Sequence, residues 1–165
     1  MTLFYGIRDG AKVSPRAEVE LSSQLRFGRG VVVSSFTKIK AADGPVSIGA
    51  KSGFATGCFL SAGEAGLDIG RHVICGPNVT VVSRRYRHTE LDVPFEEQGQ
   101  ESQGISIGNN VWIGANSTVV DGAVLRDNTI VVAGSLVNRR YPPNVIIQGS
   151  PARVILRRGK PEDEA

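Results

Sequence analysis

The chain predicts an all-β solenoid, a parallel β-helix of hexapeptide repeats, on three observations. First, Ile107, Ile113, Val119, Leu125, Val131 and Val137 fall at an unbroken spacing of six. Second, each of the first five is followed four residues later by a small or β-branched residue: Val111, Ser117, Ala123, Thr129 and Ser135. Third, Gly108 and Gly114 put turn-prone positions directly after the first two aliphatics. A helix repeats its apolar face every 3.6 residues and a strand every two, so neither accounts for a strict six. A hexapeptide solenoid does: each hexad is a short flat strand plus a corner, and three hexads close a triangular coil. Coils then stack at the interstrand spacing of ~4.8 Å.

Composition bounds the alternatives. At 165 residues, with 41% hydrophobic content, the chain reads as one domain over 1–156 with a polar tail over 157–165. Eight Pro and 20 Gly suit a fold made of corners. A net charge of +3, without basic tracts or clustered aromatics, argues against a nucleic-acid partner. No apolar run reaches the ~18–20 residues of a membrane span and no signal-peptide pattern opens the chain, so a cytoplasmic location is the expectation. Cys58 and Cys75 fall on inward positions and read as core thiols.

Taken in order, residues 1–6 precede the repeat and are expected to cap the first coil through Leu3, Phe4 and Tyr5. The repeat is read from Ile7 through Val13, Val19, Leu25 and Val31, with Ala11, Ala17, Ser23 and Ser35 four residues on and Arg29 as an irregularity. Ala42-Asp43-Gly44-Pro45 supplies the turn chemistry for a short excursion before Ile48. Phe54 and Leu60 follow, then a second excursion near Gly66-Leu67-Asp68, then Ile69, Cys75 and Val81. Ile107 comes 38 residues after Ile69, so about 20 residues, 84–103, must be looped out. They are polar and hold no hexad, and a loop this long in a compact repeat is usually functional or mobile. After Val137 a last strand is read at Val145, Ile146 and Ile147, leading into Val154, Ile155 and Leu156. The total is about six to seven triangular coils.

The looped-out segment holds His88, one of two histidines. A neutral imidazole in a groove is a natural general base near neutral pH. With no partner motif beside it, the residues alone favour a solvated loop histidine over a base. His72 lies on an outward hexad position.

The hexads, Cys75-Gly76-Pro77-Asn78, the loop carrying His88, Ile107-Gly108-Asn109-Asn110-Val111-Trp112-Ile113-Gly114-Ala115 and the closing Gly149-Ser150-Pro151-Ala152-Arg153 together resemble the left-handed β-helix acyltransferases. The closest resemblance is to the galactoside/maltose O-acetyltransferase branch and similar sugar and polysaccharide O-acetyltransferases. It is specific from about Ile69 to Ile155 and confined to the repeat before that. The left-handed coil is itself an implication of the resemblance. So is the activity: acetyl transfer from acetyl-CoA, without a metal, to a hydroxyl of a sugar or nucleotide-sugar acceptor. By the same resemblance His88 is the catalytic base and the backbone N–H of Ala115 stabilises the oxyanion. Trp112, Ala115, Ala133, Asn138, Arg139 and Arg153 match positions along the cofactor groove, and the family's grooves lie between chains of a homotrimer.

The chain departs from the better-known members at Ala55-Thr56-Gly57-Cys58, where they carry an acceptor-binding Asn, and with the repeat read from Ile7 their N-terminal helical segment is not expected in it. Arg85 and Arg87, with Arg84, crowd the approach to His88. They are candidates to meet an acidic or phosphorylated acceptor, or to pair with Glu96, Glu97 and Glu101 of the same loop. Transfer to an amine of an amino sugar or a xenobiotic-type acceptor, and a non-catalytic assembly subunit, are the other readings. A zinc enzyme of the γ-carbonic-anhydrase type, which shares the fold, needs three imidazoles where this chain has two histidines.

Overall fold

The computed structural model describes residues 5–7 and 10–159. Their strands form three parallel sheets, the faces of a prism, plus one two-stranded hairpin. Face A stacks Ala11–Val13, Val32–Val33, Gly53–Phe54, Ile74–Cys75, Trp112–Ile113, Ile130–Val131 and Val145–Gly149. Face B stacks Glu18–Val19, Lys38–Lys40, Phe59–Ser61, Thr80–Val82, Thr118–Val120 and Leu136–Val137. Face C stacks Leu25–Phe27, Val46–Ile48, Leu67–Ile69, Ile105–Ile107, Val124–Leu125 and Arg140–Tyr141. Six levels are present on every face and a seventh on face A, in line with the expected coil number.

The period of six has a simple origin. One inward residue per hexad stacks on its counterpart a coil away: Val33, Phe54, Cys75, Ile113 and Val131 on face A, Ile39, Leu60, Val81, Val119 and Val137 on face B. On face C the column is Ile48, Ile69, Ile107, Leu125 and, unexpectedly, Tyr141, whose hydroxyl donates to the carbonyl of Ala152 at 3.0 Å. These side chains are all buried. The small partner four residues on is often Ser or Thr because a hydroxyl there meets a polar corner. Ser52 Oγ donates to Gly70 O at 2.8 Å and accepts from Val73 N at 3.0 Å, and Thr37 Oγ1 donates to Ala55 O at 2.9 Å. Buried polar groups are thereby paired, as burial requires.

Corners turn through left-handed backbone, which favours Gly and Asn. Between faces C and A the positive-φ residues are Gly30, Lys51, His72, Asn110, Asn128 and Asn144. The three asparagines form a ladder, Asn110 Nδ2 donating to Asn128 Oδ1 at 2.7 Å and Asn128 Nδ2 to Asn144 Oδ1 at 2.8 Å. His72 is exposed as expected, and holds a corner conformation that histidine tolerates better than most residues.

The N-terminal register differs from the sequence reading. Tyr5–Ile7 runs antiparallel to Ala11–Val13, so Ile7 belongs to a capping hairpin and the parallel coils begin at Ala11. Leu3 and Phe4 of the expected cap lie outside the described residues. Between Val19 and Phe27 the chain spends two residues more than a hexad, and the inward positions become Phe27, Val33 and Ile39 rather than Leu25 and Val31. Leu25 and Val31 occupy the adjoining positions two residues earlier, and Ser23 is exposed. The second excursion also falls earlier than expected: Leu67 and Asp68 are strand, and the extra residues lie at Gly63-Glu64-Ala65-Gly66. Cys58 and Cys75 are buried free thiols, and burial raises the titration of both. At the far end Ala152–Arg157 folds back antiparallel on Val145–Gly149 and covers the last edge of face A.

Candidate functional site

All the length variation lies at one corner, between faces B and C. Val81 and Ile107 are 26 residues apart there, where Val119 and Leu125 are six. The 84–103 segment leaves the helix on a short antiparallel stem, Arg85–Tyr86 against Gln100–Glu101. Arg87 N donates to Gly99 O at 3.0 Å, extending the stem toward His88. Three side chains clamp its base. Ser102 Oγ donates to Ser83 O and accepts from Ala65 N at 3.1 Å, Ser83 Oγ accepts from Gly63 N at 2.9 Å, and the nearly buried Asp121 carboxylate takes the N–H groups of Gln103 at 2.8 Å and Gly104 at 3.0 Å. At the tip the Gln98 amide accepts from Glu90 N at 3.1 Å and donates to Glu90 O at 2.8 Å and Val93 O at 2.7 Å.

His88 sits between stem and tip, exposed, with Nδ1 3.3 Å from the carbonyl of Tyr86. In the tautomer that donates from Nδ1 to that carbonyl, Nε2 keeps its lone pair and can take a proton. The ring opens on a pocket of about 560 Å3, walled by Leu91, Val93, Pro94 and Phe95 and carrying Glu90 and Asp92. Of the crowded arginines, Arg84 pairs with Asp43 and Arg85 with Glu101 through a 2.7 Å contact. Arg85 holds the Glu101 carboxyl below its ordinary range, with weaker help from Arg87 and His88. Within-loop pairing, one of the two options open in the sequence, is therefore the state of Arg85.

The other candidates lie elsewhere. Ala115 and Ala133 follow face A strands at the corner between faces A and B, one coil apart. Gly114 makes that stacking possible: a Cβ there would stand 2.4 Å from Ala133 N. Among the described residues neither the Ala115 nor the Ala133 N–H is taken by a protein acceptor. The position explains why, since at each level the same corner residue (Ser35, Thr56, Ala115, Ala133) is left without a backbone partner, and Pro77 occupies it one coil below Ala115. Trp112, 55% exposed, projects from face A beside this strip, next to Ile74 at 59%. Asn138 and Arg139 are exposed at the last B-to-C corner, where Arg139 Nη2 donates to Ala152 O at 3.3 Å, next to Arg153.

Two groups result. Trp112, Ala115 and Ala133 form one strip at the A-to-B corner, while His88, Arg85 and Arg87 stand across the width of face B at the B-to-C corner, which also carries Asn138 and Arg139 at its last level. One chain does not bring them together. Gln98, Asp121 and Ser102, which shape and anchor the loop, were not singled out in the sequence: Gln98 and Ser102 are isolated polar residues in a polar segment, and Asp121 is a corner residue of an otherwise regular hexad, so none carries a periodic signal. Among the described residues no three His, Cys, Asp or Glu side chains gather as a metal site would require.

The prism, its corners and its single looped-out hairpin define a left-handed parallel β-helix of hexapeptide repeats. Residues 104–139 match the bacterial transferase hexapeptide (six repeats) family. The chain is 43% identical over 88 residues to galactoside O-acetyltransferase of Escherichia coli, covering 53% of this chain and 42% of that protein. It is 30% identical over 94 residues to a putative lipopolysaccharide biosynthesis O-acetyl transferase of the same organism, covering 53% and 48%. The chain thus spans less than half the length of these curated relatives. Among solved structures, an N-acyltransferase from Bacillus cereus in complex with dTDP and 3-hydroxybutyryl-CoA shares the fold with a TM-score of 0.84 at 21% identity, covering 96% of this chain and 92% of that one. Perosamine N-acetyltransferase from Caulobacter crescentus, in complex with CoA and GDP-perosamine, gives a TM-score of 0.65 at 26% identity, covering 87% and 55%. Residues 104–139 thus carry the hexapeptide repeat of that transferase family, and the described residues share the fold of these acyltransferases.

Proposed function

We propose that this chain is an acetyltransferase that moves the acetyl group of acetyl-CoA to a hydroxyl of a sugar or nucleotide-linked sugar, with His88 as general base, in a homotrimer. One observation carries the reading. A base with a free Nε2 stands on one corner and a strip of unclaimed N–H groups on another, so two chains packed side by side complete a site that one chain leaves divided. The pantetheine arm lies along Trp112, Ala115 and Ala133, and the phosphates meet Arg139 and Arg153, with Asn138 beside them. His88 Nε2 removes the acceptor proton as its oxygen attacks the thioester carbonyl, the Ala115 N–H takes the developing oxyanion, and the imidazolium returns its proton to the departing thiolate. Both sequence relatives described above are O-acetyltransferases by name, which supports the hydroxyl.

A second reading, transfer to an amine, is favoured by the structural likenesses, which are N-acyltransferases. The test is calorimetry with CoA, followed by acetyl-CoA turnover on sugar pairs that differ only in a hydroxyl or an amine at one carbon. Turnover on the hydroxyl member supports the first reading, and turnover on the amine alone selects the second. A chain that binds no CoA ends both.

A further inference from the structure

The sequence placed three arginines near the base and so suggested a negatively charged acceptor, but the charges that face the His88 pocket have the opposite sign. Arg84 and Arg85 are occupied by Asp43 and Glu101, and Arg87 adds its field to Glu101. None of the three lines the pocket. The residues that do are His88, the acidic Glu90 and Asp92, and an apolar wall whose Leu91 and Phe95 are 96% and 61% exposed. A phosphate or carboxylate seated there would meet two like charges and no fixed cation.

The pocket is also a built shape. The Gln98 amide uses its oxygen and its nitrogen on the backbone of Glu90 and Val93, tying the chain on either side of Leu91 and Asp92. A second turn, with Glu97 N donating to Pro94 O at 3.0 Å, closes behind it. A preformed wall lowers the ordering cost of binding.

We propose that this pocket selects the acceptor: it takes a sugar with an apolar, deoxygenated edge and no negative charge beside the reacting group, and Gln98 is the positioning residue that holds its shape. The inference rests on the acetyltransferase reading for the identity of the reacting group, but its test does not. Three methyl glycosides on one scaffold serve as probes: the parent hexoside, its 6-deoxy analogue and its 6-phosphate. Each is measured twice on the full chain, by saturation-transfer NMR without CoA and by thiol release with acetyl-CoA.

The 6-deoxy glycoside should bind best and the 6-phosphate worst, separated by roughly tenfold or more. Glu90→Gln with Asp92→Asn should narrow that gap by admitting the phosphate. Gln98→Ala should raise the acceptor KM about tenfold while kcat falls less and CoA affinity stays the same. A 6-phosphate that binds as well as the 6-deoxy sugar, a double variant that leaves the ranking unmoved, or no saturation transfer from any of the three overturns the proposal. Correct ranking by NMR without thiol release on any acceptor would instead count against the acetyltransferase reading and leave the pocket standing.

Discussion

Two histidines with the same chemistry sit in different local structures. His88 is on a hairpin, its Nδ1 facing a carbonyl and its other nitrogen free; His72 is a left-handed corner residue beneath the asparagine ladder. His88→Ala should keep the fold and CoA affinity and lower acetyl transfer by roughly 10²–10⁴, the size of a general-base contribution. The fitting control is His72→Asn, because alanine at φ 57° would add strain of its own. Wild-type transfer by the His88 variant, or an equal loss in the His72 variant, would remove His88 from the mechanism. Arg139 and Arg153 lend themselves to a ligand series. Arg139→Ala and Arg153→Ala should weaken CoA more than dephospho-CoA or pantetheine, since phosphate is the proposed partner. Equal losses for all three would leave the arginines only a packing role.

At the level of elements, the corners store the local conflicts of the fold. Asn128 holds φ 59° and links the ladder in both directions. Asn128→Gly should lose the ladder bonds alone, whereas Asn128→Ala should also carry a left-handed penalty and lie below it by about 1–2 kcal/mol in denaturant titrations. Equal midpoints would mean that the backbone there relaxes out of the left-handed region. The hairpin stem carries a pH dependence of known sign. Arg85 lowers the titration of Glu101 in the folded chain, so the folded state binds fewer protons over that range than an opened stem. The Arg85–Glu101 contribution is therefore complete above the ordinary carboxylate value and fades as pH falls through and below it. The protection factor of Arg87 N, its exchange rate relative to that of the free amide at the same pH, should fall on acidification because this amide closes the stem on Gly99 O, and Arg85→Gln should abolish that acid-dependent fall. Exchange that responds to acid identically in the variant would uncouple the pair from the stem.

For the whole molecule the division of the site is the central property. Base and N–H strip occupy different corners of one prism, and in the proposed three-fold ring the corner of one copy would meet the strip of the next. That arrangement predicts intersubunit complementation. Chains carrying His88→Ala and chains carrying Ala133→Trp, which fills the proposed pantetheine path, should each be inactive as homo-oligomers, yet regain activity when unfolded and refolded together. Mixed assemblies that stay inactive while scattering as trimers would place the whole site within one chain. The apolar Ile74 and Trp112 on face A beside the strip are then expected to gain protection in the assembly.

The run from Ile107 to Val137 was legible residue by residue because nothing interrupts its hexads, and a period of six has one structural meaning. The N-terminal half was legible as a repeat but not in register. The hexads beside the insertion carry apolar residues two apart, Leu25 with Phe27 and Val31 with Val33, so the two added residues before Phe27 shift the pattern onto itself without a visible break. For the site, sequence determined that about 20 residues leave the coil and that one of them is a histidine. Only the tertiary structure decided that Arg85 is spent on Glu101, that Gln98 and Asp121 hold the loop, and that base and N–H strip stand at separate corners. The physical reason is the same throughout. Core positions repeat because stacked coils impose one environment on every hexad, whereas each loop contact is made once, between residues whose distance in space is set by the fold.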